Sequence, residues 1–98
     1  MKKTIVTLFA LGMFSTASMA MEPPAKANTC IGCHGADGNS VVPNFPKIAG
    51  QHAAYLEKAL KDYRDGFRRD ESMAAFARGL SDQEIKDLAK FYSMQTPK

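Results

Sequence analysis

Cys30-Ile31-Gly32-Cys33-His34 is the stretch on which the reading of this 98-residue chain turns. Two thiols three residues apart on one helical turn can each add to a vinyl group of a porphyrin, closing two thioethers. The imidazole at the next position is then carried beneath the ring plane, where it can bind iron. C-x-x-C-H is the pattern of covalent haem attachment, and His34 is the expected proximal ligand. The chain has 2 cysteines, both in this motif.

Three other chemistries use the same residue types. A redox dithiol wants its C-x-x-C at a strand-to-helix junction, and no convincing strand precedes Cys30. A zinc site could recruit Cys30, Cys33 and His34 with His52 as fourth ligand, but adjacent Cys and His side chains rarely face one metal. A short-loop disulfide is the blandest alternative.

The first twenty residues read as an export signal. Lys2-Lys3 form a positive start, Ile5 to Phe14 an apolar core, and Ser18-Met19-Ala20 a small-x-small cleavage site. The apolar stretch is too short for a stable membrane anchor. The expected location is therefore the periplasm, with residues 21–98 forming one domain. A domain of that size has a marginal hydrophobic core, so a large apolar cofactor would assist folding as well as function. Without Lys2 and Lys3 the 13 basic residues fall to 11 against 10 acidic ones, a net charge near +1. Nothing in that balance calls for nucleic acid or a strongly charged partner.

Beyond the signal there are no repeats, low-complexity tracts or dividing linkers. Pro23-Pro24 are placed to open a short helix running into the C-x-x-C-H turn. Gly35 to Gly50 is rich in glycine and proline and lacks a helical period, which predicts a loop. From Gln51 to Asp65, residues Ala53, Leu56, Ala59, Leu60 and Tyr63 form one apolar stripe, and Gly66 supplies a stop. Its charged residues read as an ordinary solvated face. Ser81-Asp82-Gln83-Glu84 is a capping box that starts a helix with Ile85, Leu88, Ala89 and Tyr92 on one face. Between these helices, Phe67 to Gly79 reads as a basic loop leading into an irregular apolar segment at Met73. The class is all-α.

One histidine leaves an axial position on the iron, for which the candidates are Met21, Met73, Met94 and His52. Met21 is terminal, Met94 lies near the end of the last helix in an expected packing role, and His52 starts the long helix as a surface residue. Met73 lies 39 residues after His34 and can reach the other haem face. Its thioether is soft and neutral and favours Fe(II).

With those ligands placed, the chain resembles a class I bacterial cytochrome c, and in particular one half of the di-haem periplasmic cytochromes c. The resemblance rests on Cys33-His34-Gly35-Ala36-Asp37-Gly38-Asn39-Ser40, on Pro43-Asn44-Phe45-Pro46-Lys47-Ile48-Ala49-Gly50-Gln51, and on Gly79-Leu80-Ser81-Asp82-Gln83-Glu84-Ile85. In that family the ligand methionine shortly precedes the Leu-Ser-Asp element, which matches Met73. The resemblance implies helices packed around one covalent haem c. It implies that the Pro43 carbonyl accepts a hydrogen bond from His34, that Phe45, Ile48, Tyr55, Leu56 and Leu60 line the pocket, and that Gln51 meets a propionate. It implies a monomeric electron carrier, not an enzyme, serving a quinol-oxidising complex, terminal oxidase, reductase or peroxidase.

Two departures stand out. A single C-x-x-C-H implies one haem, and only nine residues lie between the expected cleavage site and Cys30, so the N-terminal helix is abbreviated. Two competing functions are a haem subunit working inside a dehydrogenase complex, and a peroxidase or gas-binding protein. The latter needs an open iron and a distal acid–base group, for which His52 is the one candidate.

Overall fold

Helix capping, more than length, sets the architecture of this chain. The computed structural model describes residues 21–98, and the expected export signal lies outside them. Among the described residues there are helices, turns and loops but no strand. A short 3-10 helix, Ala25–Thr29, leads into α1 (Ile31–His34). After a long loop come α2 (Ala53–Asp65), α3 (Glu71–Ala77) and α4 (Asp82–Ser93).

The expected capping box forms in full. Ser81 Oγ accepts the Glu84 N–H at 3.0 Å, and Glu84 Oε1 accepts the Ser81 N–H at 2.9 Å. The helix it starts buries Ile85, Leu88, Ala89, Phe91 and Tyr92, the last two meeting edge-on at 4.9 Å between ring centroids. This face packs mainly on α2, whose Leu56 is buried, and also on the 3-10 helix, whose Ala27 is wholly buried in the same cluster.

Helix α2 begins at Ala53, the first residue of the apolar stripe and two residues after the expected start at Gln51, because His52 keeps an extended backbone (ψ 132°). It stops where expected. Gly66 takes a left-handed φ of 90°, which lets the Phe67 and Arg68 N–H groups turn back onto the Asp62 carbonyl at 2.9 and 3.1 Å. Arg64, in the last turn, donates to the Leu80 carbonyl at 3.1 Å and to Asp82 Oδ1 at 2.8 Å, bracing α2 against the start of α4.

Two expectations need correction. The segment around Met73 is helical rather than irregular. Asp70 Oδ1 accepts the Met73 N–H at 3.0 Å and so satisfies a donor that would otherwise be orphaned at the start of α3. Met94 is not a packing residue, since 61% of it is exposed beyond α4.

The 35–50 loop closes on Gly38. Its carbonyl accepts the Ile48 and Ala49 N–H groups at 2.8 and 3.1 Å, at a φ of 84°. A side chain there would meet Ala49 N at 2.9 Å and the Tyr92 ring at 3.0 Å, so the position requires glycine. The Gly50 N–H donates to the Tyr92 carbonyl at 2.9 Å, tying the end of the loop to α4.

Candidate cofactor site

A cavity of about 410 Å³ opens among α1, the following loop, α2, α3 and α4. Its volume lies in the range of small-molecule and cofactor sites. Cys30, Cys33, His34 and Met73 all line it, as do Phe45, Ile48, Gln51, Tyr55, Leu56 and Leu60. These residues span more than forty positions of sequence, and the fold gathers them around one largely apolar space. Phe45, Tyr55 and Phe76 are part-exposed and form its rim.

His34 is buried, and its Nδ1 lies 2.8 Å from the Pro46 carbonyl oxygen. A carbonyl only accepts, so Nδ1 carries the proton and donates it, leaving Nε2 as the unprotonated nitrogen for a metal. The resemblance implies Pro43 as this acceptor, and the structure has Pro46 in its place. Pro43 is exposed and does not line the cavity. The Gly38 carbonyl holds Ile48 and Ala49, and this closure brings the second proline of the loop, not the first, to the imidazole.

Cys30 and Cys33 are half-buried free thiols. The His34 N–H donates to the Cys30 carbonyl at 2.9 Å, so the motif forms one helical turn. Burial pushes the Cys30 thiol above its ordinary value. The Thr29 and Tyr92 hydroxyls act against this, and Cys33 adds to it. A redox dithiol needs the opposite, a thiol made acidic by its surroundings. The zinc alternative fails on position: His52 is exposed and does not line the cavity. Among the described residues no group of three or more His, Cys, Asp or Glu side chains is arranged to hold a metal ion.

Of the four candidates for the second axial position, Met73 alone faces the cavity. Met21 packs against the core elsewhere, while Met94 and His52 are at the surface. Tyr63, Arg68, Phe76, Leu88 and Tyr92 also line the cavity and were not singled out as site residues from sequence. Arg68 donates to Tyr55 Oη at 3.1 Å and lies 4.8 Å over the Tyr63 ring, which ties the loop before α3 to α2. Burial, followed by the influence of Cys30, pushes the Tyr92 phenol well above its ordinary value.

The donor set fits an iron porphyrin. An apolar cavity suits the macrocycle, and two thiols at attachment spacing share it with an imidazole nitrogen and a thioether sulfur. Among the described residues no helix is long and apolar enough to cross a membrane.

Known proteins resemble this chain over most of its length. The chain is 44% identical over 91 residues to cytochrome c4 of Pseudomonas aeruginosa, covering 93% of this chain and 45% of that protein. It is 47% identical over 73 residues to cytochrome c-554(548) of Halomonas halodenitrificans, covering 71% of this chain and 88% of that one. The solved structure of Acidithiobacillus ferrooxidans cytochrome c4 superposes with a TM-score of 0.63 at 33% identity, over 74% of this chain and 40% of that one. The chain thus spans less than half the length of the cytochromes c4 that it matches here, in keeping with one half of a di-haem cytochrome. Residues 25–93 match the cytochrome c family model, and the chain belongs to that family, whose members carry haem c attached through a motif such as Cys30 and Cys33 form.

Proposed function

We propose that this chain is a periplasmic carrier of single electrons, its haem c attached through Cys30 and Cys33 and ligated axially by His34 and Met73. The observation that carries this reading is the meeting of His34 and Met73 in one apolar cavity from separate parts of the fold. Helix α1 packs on the 3-10 helix, whereas α3 packs on α2. When bound, haem c supplies a one-electron Fe(III)/Fe(II) couple.

The protein's part is to hold both ligands still while the charge changes. The Nδ1–H bond to Pro46 fixes the tautomer and orientation of His34. Asp70 fixes the backbone of Met73. The apolar walls keep water from the site and, with a neutral thioether ligand, favour the reduced state. A peroxidase would need an open iron position, which Met73 is placed to fill, and His52, its expected distal acid–base group, lies outside the cavity. The part-exposed rim of Phe45, Tyr55 and Phe76 suits small, transient contacts with redox proteins. A quinol-oxidising complex, a terminal oxidase, a reductase or a peroxidase are the partner classes in view, with the carrier working as a monomer. Location in the periplasm rests on the charged start and apolar core at the N-terminus.

The test is an optical spectrum of the haem-loaded protein in both oxidation states. A low-spin reduced spectrum is expected, with a weak long-wavelength methionine-to-Fe(III) band that disappears in Met73→Ala. A high-spin spectrum that shifts with carbon monoxide in the unmodified protein would refute the His34/Met73 assignment.

A further inference from the structure

Tyr92 poses a question that the proposed function leaves open. Its residue is 3% exposed and its hydroxyl is fully enclosed, yet that hydroxyl has no hydrogen-bond partner. Leaving such a group buried and unpaired is destabilising. Phenylalanine would keep the same ring packing without that cost, and the adjacent Phe91 shows that this helix face accepts it. The groups packed around this enclosed hydroxyl are the candidates for its partner.

Cys30 is such a neighbour: it packs against the core cluster that holds Tyr92, and both residues line the same cavity. In the free thiol, Cys30 Sγ has its hydrogen to place. Its own polar neighbours are the Thr29 hydroxyl at 3.9 Å and the Lys26 carbonyl at 4.0 Å. Addition of the thiol across a vinyl group balances simply: the sulfur forms a bond to one vinyl carbon, and the S–H proton ends on the other. The sulfur then has no hydrogen and can only accept. A hydroxyl enclosed beside it becomes the donor.

We propose that Tyr92 Oη donates a hydrogen bond to the Cys30 sulfur once that sulfur is a thioether, and that this bond raises the reduction potential of the site. The donor's positive end faces the cofactor, which stabilises the state of lower charge, Fe(II). Tyr92 is thereby a positioning residue that acts through Cys30. The inference rests on the reading of the cavity as a haem c site.

The experiment is an equilibrium redox titration of the haem-loaded protein and of Tyr92→Phe, with optical spectra of both. Spectra of the unmodified protein report on the haem c reading itself, before the variant is considered. The result expected is a lower potential in Tyr92→Phe, with the long-wavelength methionine band retained so that lost ligation is not the cause. An unchanged potential overturns the proposal, whatever happens to stability. Should the variant not take up haem, the unmodified protein decides: the Cys30 carbon–sulfur vibration shifts in deuterium oxide if the hydroxyl is bonded to it. Absence of that shift overturns the proposal.

Discussion

Asp70 Oδ1 accepts the backbone N–H of Met73 at 3.0 Å, so the side chain that caps α3 also fixes the residue proposed to bind iron. A seven-residue helix has little stability of its own, and its cap carries a large share of what holds it. Asp70→Ala is expected to cost about 1 kcal/mol, the usual loss for an N-cap. Loosening by that amount should speed carbon monoxide binding to the reduced protein about fivefold, since the gas enters when Met73 leaves. Stopped-flow measurement checks this, and Asp70→Asn, which keeps an acceptor, should behave nearly as the unmodified protein.

Glycine is demanded at two positions for unequal reasons. Gly66 and Gly38 have φ values of 90° and 84°, but a side chain at Gly66 meets nothing within 4 Å, whereas one at Gly38 meets Ala49 N at 2.9 Å. Gly66→Ala should therefore cost only the backbone term, about 1 kcal/mol. Gly38→Ala adds a clash with backbone that cannot swing away, for about 3 kcal/mol in all. The same change should disturb the His34–Pro46 bond, because Gly38 closes that loop. Denaturant unfolding of both variants measures the difference.

Much of this site was legible because its signals are local. The C-x-x-C-H spacing, the capping box at Ser81 and the stop at Gly66 each depend on residues within one or two helical turns. The errors came from relations that sequence spacing does not encode. Pro43 and Pro46 are alike as loop prolines, and only the Gly38 carbonyl's bonds to Ile48 and Ala49 decide which one meets His34. Helix α3 is not legible because seven residues are too few for a convincing period, and the basic residues before Asp70 mask its role as a cap. Tyr92 showed as a core residue of α4, but nothing in the sequence could reveal that its hydroxyl is enclosed without a partner.

Leu88 ties the core to the cavity, being 1% exposed in α4 and also part of the cavity wall. Leu88→Ala should cost about 3 kcal/mol from lost burial and the void that remains. For a domain of this size that is a large part of the total stability. Thermal unfolding of the loaded protein should show it. Ser81→Ala, which removes one arm of the capping box at the surface, should cost about 1 kcal/mol by the same assay.

Arg64 gives the protein a defined acid sensitivity. Its guanidinium bonds hold the Asp65 and Asp82 carboxyls below their ordinary values, and its own affinity for a proton is raised in turn. A carboxyl whose folded-state value is depressed stabilises the fold above its unfolded value, about 3.9, and loses that contribution as pH falls through the folded value. The contribution from these pairs should therefore be constant from neutral pH to about pH 5, should begin to fall near the unfolded value of about 3.9, and should be gone only below the depressed folded values. Arg64→Met removes the cause of the depression together with the bond to the Leu80 carbonyl. The variant should be less stable than the unmodified protein at neutral pH, and the gap should narrow on acidification without closing, because the Leu80 bond does not titrate. Denaturant midpoints of both proteins across the acid range measure this, and a gap that stays constant with pH would show that the ion pairs contribute nothing.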